Sequence, residues 1–141
     1  MASHDVRLEL SEQFGRRYAS SGSKWEPFVG YSRAVRAGNV IAVSGCVGIN
    51  ADGTYPPTVE DQARRALQII RSAVERLGGR IEDVIRTRMF VTDISQWERI
   101  ASVHGEVFGA IRPATSMVQV AKLIDDAALI EIEADAVVGE P

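Results

Sequence analysis

Leu129-Ile130-Glu131-Ile132-Glu133-Ala134-Asp135-Ala136-Val137-Val138, near the end of the chain, alternates apolar and acidic residues with a period of two. Successive side chains of a strand point to opposite faces. One face of this strand therefore carries Ile130, Ile132, Ala134, Ala136 and Val138. The other carries Leu129, Glu131, Glu133, Asp135 and Val137. The first face needs an apolar cover. The second cannot be uniform core, so it meets water, basic partners or another subunit. A sheet covered on one side only is an α+β layer, and the rest of the chain supplies the parts.

Upstream, Ser116–Leu123 and Val84–Val91 read as further strands, the latter with Arg86 and Arg88 on one face and Thr87 and Met89 on the other. Arg33–Ala37 and Val40–Ser44 flank Gly38-Asn39, the pattern of a β-hairpin. Two helices provide the cover. In the first, Thr58 is placed to cap, with Asp61 three residues later, and Val59, Ala63, Ala66, Leu67, Ile70, Ala73, Val74 and Leu77 recur at helical spacing before Gly78-Gly79. The second is expected to start at Ser95, with Glu98 completing a capping box, and to carry Trp97, Ile100, Ala101, His104, Val107 and Phe108 as its apolar stripe before Gly109. The order is β-β-α-β-α-β-β, one sheet with both helices on one face. Near the start, residues 5–18 are read as a short helix, Ala19–Ser23 as a flexible joint, and Trp25, Pro27 and Phe28 as lying on the domain surface.

The 141 residues are one domain's worth. Hydrophobic residues at 45% and charged residues at 25% are globular proportions. Sixteen Lys and Arg against 19 Asp and Glu give a net charge of −3, whereas a nucleic-acid binder is normally basic; no nucleic-acid partner is expected. No apolar run reaches the roughly 18 residues of a membrane span, and Met1–Asp5 does not open a signal peptide. The reading is cytoplasmic, with no membrane partner. Cys46, His4 and His104 are too few for a Cys/His zinc site. Ser44-Gly45-Cys46-Val47-Gly48 lacks the phosphate-cradling glycine patterns. No metal and no cofactor are expected.

Glu131 and Glu133 have Cα atoms about 6.5–7 Å apart on one strand face. They can share acid–base work, one raising the other's pKa, or form a cross-strand ion ladder with Arg86 and Arg88, and pattern alone favours the ladder. Cys46 and His104 read better as a buried thiol and a helix-face packing residue than as a nucleophile and its base. Asp125-Asp126 reads as a solvated turn.

Taken in order, Gly38-Asn39 with Val43-Ser44-Gly45, Gln62-Ala63-Arg64, Phe90-Val91-Thr92-Asp93, Arg112-Pro113-Ala114-Thr115-Ser116 and Ile130-Glu131-Ile132-Glu133-Ala134 resemble the RidA family, also called YjgF or, in an older label, endoribonuclease L-PSP. The resemblance runs from Tyr31 to Val138. It divides the chain into an N-terminal extension, residues 1–28, and a RidA-like domain, residues 29–141. It implies a chorismate-mutase-like α+β fold and a homotrimer, with a central barrel of three sheets and ligand clefts between subunits. The activity it implies is metal-free hydrolysis of 2-imino and 2-enamino acids. In the family an Arg clamps the substrate carboxylate and a Glu on the last strand holds the attacking water. By that resemblance Glu131 is the catalytic candidate, and Tyr31, Ser44 and Gly45 shape the pocket.

The departures concern the clamp. The family's Pro-Ala-Arg-Ser reads Pro113-Ala114-Thr115-Ser116, so Thr115 stands where the Arg would be. By the same resemblance Met117 stands where Cys is frequent, Ala101 stands for a pocket Asn, and the Gly109–Arg112 loop is about three residues shorter than in the family's deaminases. Thr115, Ser116, Met117 and Arg112 complete the substrate-binding candidates. Losing a buried bidentate charge contact costs on the order of 2–5 kcal/mol, so standard 2-imino acid turnover is expected to be weak. The function implied is binding of a small metabolite in inter-subunit clefts, with hydrolysis of an imine, enamine or related reactive compound. The alternative is a non-catalytic small-molecule-binding or regulatory protein.

Overall fold

The structure, a computed structural model, describes residues 5–139. Four residues of the 1–28 extension, His4 among them, and two of the 29–141 domain lie outside it, as does most of the Met1–Asp5 segment. The strands are β1 (Glu9–Gln13), β2 (Arg16–Ser20), β3 (Ala34–Ala37), β4 (Val40–Val47), β5 (Val84–Val91), β6 (Ala114–Gln119) and β7 (Ile130–Val137). The helices are α1 (Trp25–Val29), α2 (Val59–Arg76) and α3 (Trp97–Phe108). One seven-stranded sheet runs β1-β2-β3-β4-β7-β5-β6. Only β5 and β6 pair in parallel; every other neighbour is antiparallel.

β7 sits at the sheet's centre between β4 and β5, and its two-faced sequence organises the layers. Ile130, Ile132, Ala134 and Ala136 are buried against α2 and α3, with Leu67, Ile70, Ile100, Val103 and Phe108. Each large side chain removed from water there contributes about 1.5–3 kcal/mol. Glu131, Glu133 and Asp135 lie on the open face, only half-buried. Among the described residues no helix is long and apolar enough to cross a membrane.

Thr58 caps α2 as expected, accepting from the Asp61 amide at 3.2 Å. The helix ends at Leu77, whose carbonyl accepts from Arg17 Nη2 at 2.5 Å and Arg36 Nη1 at 2.8 Å. Two guanidinium groups thus meet the negative end of the helix dipole. The RidA-like Gln62 proves structural. Its Nε2 donates to Pro56 O and Ala127 O, and its Oε1 accepts from the Leu129 amide, which ties α2 to the segment entering β7.

Four expectations need correction. Residues 5–18 do not form a helix: β1 and β2 make a hairpin that extends the same sheet, turning at Phe14 and Gly15, which have φ of 56° and 70°. Val6, Leu10 and Phe14 recur at helical spacing, but pairing of β2 with β3 overrides that local preference. Ala19–Ser23 is not a free joint either. Ala19 is fully buried, and Ser21 donates from both its amide and its hydroxyl to Glu26. Ser95 does not cap α3: Asp93 caps a 3-10 turn, Ile94–Gln96, accepting from the Ser95 amide and hydroxyl, and α3 follows at Trp97 without a side-chain cap. Finally, β6 spans 114–119 instead of 116–123, because the chain pairs with β5 immediately after Pro113.

Candidate functional site

Where β4 meets β7 the register shifts between Val43 and Cys46. Such a bulge re-aims side chains, and here it brings together Tyr31, Arg33, Ser44, Gly45, Cys46 and Glu131. Gly45 makes the arrangement sterically possible. A Cβ there would lie 2.4 Å from Glu131 Oε2, so the carboxylate rests directly on β4 backbone.

Arg33 stretches across the bulge. Its Nη1 donates to Gly45 O at 2.7 Å and contacts Ser44 O and Cys46 Sγ, each at 3.4 Å. Its Nη2 lies 3.4 Å from Tyr31 Oη, and the guanidinium faces the Tyr31 ring at 5.6 Å. Ser44 Oγ donates to Ser32 O at 2.6 Å and so fixes the Tyr31–Arg33 segment against β4. Burial raises the Glu131 pKa above the usual carboxylate value, Arg33 opposes that shift, and Glu133 adds to it. Burial likewise pushes the Cys46 thiol up, against the influence of Arg33, so Cys46 stays a neutral packing group as expected.

An ion ladder forms, but it is built on Arg88 alone and among the described residues leaves out both Glu131 and Arg86. Arg88 Nη1 reaches Glu133 Oε1 at 3.2 Å and Asp135 Oδ2 at 3.5 Å. The neighbour of Glu131 is Arg33, which sequence reasoning passed over. The available signal was the spacing in Tyr31-Ser32-Arg33, which in extended chain puts the ring and the guanidinium on one face. A groove of about 630 Å³ runs from Tyr31 and Ser44 across Val35 and Ala42 to Arg88 and Glu133. A second groove, about 550 Å³, continues past Tyr18 and Pro27 to Phe14 of the N-terminal hairpin.

The remaining candidates lie elsewhere in the same chain. Thr115 pairs with Thr87 and Met117 with Met89, which places both on the helix side of edge strand β6. Thr115 Oγ1 accepts from Thr87 Oγ1 at 2.7 Å, and Thr87 Oγ1 in turn lies 2.8 Å from His104 Nε2. His104 also packs against Phe108, and burial lowers its pKa. Ser116 pairs with Arg88 on the open side. Arg112 is exposed in the loop after α3, with a left-handed φ of 58°. Within one chain Tyr31, Ser44, Gly45 and Glu131 converge, whereas Thr115 and Met117 stand across the sheet from them.

Comparison with known proteins joins these observations. The model of the family described as endoribonuclease L-PSP matches residues 22–138. The crystal structure of Rv2704 from Mycobacterium tuberculosis, a member of the YjgF/YER057c/UK114 family, superposes with a TM-score of 0.82 at 47% identity, covering 87% of this chain and 99% of that one. The 2-iminobutanoate/2-iminopropanoate deaminase of Escherichia coli is 36% identical over 111 residues, 76% of this chain and 86% of the relative. Escherichia coli TdcF, solved with bound serine, has a TM-score of 0.73 at 33% identity and covers 77% of this chain and 88% of its own. With the one-faced sheet, the order of its strands and the matched motifs, these likenesses show that the chain belongs to the RidA/YjgF/UK114 family, the endoribonuclease L-PSP family of older usage.

Proposed function

We propose that the protein is a metal-free hydrolase of imine-, enamine- or related reactive small molecules. It works as a homotrimer with clefts between subunits, and Glu131 is its acid–base residue. The observation that carries this reading is the Glu131 carboxylate itself. It is half-buried, held over Gly45, raised in pKa, and within the influence of Arg33 rather than part of the nearby ladder. A raised carboxylate pKa suits a group that takes a proton from water and returns it to a leaving amine. Water adds to the imine carbon as Glu131 accepts its proton. That proton goes to the nitrogen, giving a carbinolamine; Glu131 then carries the hydroxyl proton to the same nitrogen, the C–N bond breaks as the C=O bond forms, and ammonia and a carbonyl compound leave. Related proteins named as imine deaminases, and one solved with serine bound, support a ligand of amino-acid-like size.

Thr115 gives the alternative, a non-catalytic binding protein, its specific support: a neutral hydroxyl already engaged by Thr87 replaces a charged fork. The test is ammonia release from 2-iminobutanoate under semicarbazide competition. Wild-type turnover is expected to be weak beside that of an Arg-bearing relative. Glu131→Gln is expected to lower it by roughly 10²–10⁴-fold while the assembly and Tm stay intact. Below the raised Glu131 pKa the carboxylate is protonated, so kcat/KM falls with pH along an acid limb centred above the ordinary 4.5. Turnover and pH profile both unchanged in Glu131→Gln would remove Glu131 from the chemistry.

A further inference from the structure

We infer that Arg33 is the anion-binding residue of this cleft, taking the carboxylate of the substrate through the Nε–Nη2 edge of its guanidinium. The inference rests on the hydrolase reading for the placement of the reacting carbon, but its own support is geometric. A guanidinium has five N–H donors and two edges that receive a carboxylate in bidentate fashion. In Arg33 the Nη1 side is committed to Gly45 O, Ser44 O and Cys46 Sγ. On the other edge, Nη2 makes one long contact with Tyr31 Oη, and Nε has no partner among the described residues.

Arg33 also lacks a carboxylate partner. Arg64, Arg65, Arg80 and Arg88 each form ion pairs, and Arg33 forms none among the described residues. Glu131 feels its charge without contacting it. The cation is half-buried and held in place by backbone carbonyls, its Nε–Nη2 edge has no carboxylate on it, and its neighbours Tyr31 and Ser44 line the groove. Glu26 and Glu131 act on Arg33 only through space, and a ligand carboxylate supplies the contacting counter-charge that a buried cation favours. Tyr31, accepting from Nη2, keeps its own O–H free to donate to a ligand oxygen. Thr115 cannot share this task within the chain, since it lies on the opposite side of the sheet. Arg33, immediately before β3, places carboxylate recognition on the same face as Glu131.

The probes are 2-oxobutanoate and its neutral isostere 2-oxobutanamide. In wild-type protein with 15N-labelled arginine, 2-oxobutanoate is expected to shift the Arg33 Nε–H resonance and 2-oxobutanamide to leave it in place. By calorimetry the wild type should prefer the carboxylate roughly tenfold or more. Arg33→Gln should bring that ratio near one. An unmoved Nε–H resonance in the wild type, or an undiminished preference in a folded Arg33→Gln, overturns the assignment and leaves Arg33 as a brace for the bulge. The spectral measurement needs no variant, so it decides even where Arg33→Gln fails to fold. The two readings fail separately. Carboxylate capture by Arg33 with turnover indifferent to Glu131→Gln sinks the hydrolase and keeps this assignment; Glu131-dependent turnover with a silent Arg33 does the reverse.

Discussion

A methyl group at position 45 would collide with Glu131 Oε2 at 2.4 Å, and what it strikes is the far end of a flexible side chain. The fold can absorb this by swinging the carboxylate away; the cleft cannot. Gly45→Ala is therefore expected to cost within about 1 kcal/mol of stability, as such yielding contacts do. It should also depress 2-iminobutanoate turnover nearly as far as Glu131→Gln does. Calorimetry and the ammonia assay on the same sample check this, and a variant with full activity would show that Glu131 does not need its seat on β4. Glu131, Ser44 and Gly45 were legible in the sequence because each sits in a motif of fixed order, and Tyr31 because it opens the stretch that resembles the family. Arg33 was not, because its role exists only once the bulge between Val43 and Cys46 presents three acceptors to one guanidinium. Thr115 was legible as a departure from the family, but not its position across the sheet from Glu131, which depends on the parallel register of β5 and β6.

Among the elements, α2 is held by contacts that pattern analysis reads only in part. Its apolar stripe and Thr58 cap follow from spacing. The role of Gln62, which satisfies three backbone groups from a buried position, depends on where residues 56 and 127–129 pass. Gln62→Leu would strand those groups and should cost roughly 3 kcal/mol, about 10 °C in Tm for a chain of this size. An unchanged melting curve would contradict it. The β1–β2 hairpin was the least legible element, since its strands are mostly exposed and carry no clean alternation. On α3, His104 makes stability depend on pH. Burial lowers its pKa from 6.5, so the unfolded chain takes up the proton first as pH falls. Its contribution is complete above about pH 7 and drains away as pH drops through 6.5 toward the lower folded value. Wild type should thus lose Tm relative to His104→Gln as pH falls from about 7 through 6.5 and below. Parallel curves would mean that the ring titrates alike in both states.

At the scale of the whole molecule the two-faced strand β7 returns as a problem of assembly. Helices cover one face of the sheet. The other shows Val40, Val118 and Val137 at 50%, 46% and 40% exposure around the Arg88–Glu133–Asp135 network, and both edge strands, β1 and β6, are uncovered. Bare apolar faces and open edges on this scale are unusual in a monomer. The candidate residues point the same way. Glu131 and Arg33 open on one side of the sheet, Thr115 and Met117 on the other, so one ligand can meet both sets only where two copies adjoin. Such a contact joins different surfaces of the two copies, and repeated contacts of that kind close into a ring. Three copies is the ring we expect. Sedimentation velocity at micromolar concentration should give a single trimeric species. Val118→Glu, which sets a charge on the open face of the edge strand, should dissociate it and abolish turnover while leaving the secondary structure unchanged by circular dichroism. A stable wild-type monomer or dimer would overturn the trimer, and a monomeric Val118→Glu that kept full turnover would show that the cleft is complete within one chain.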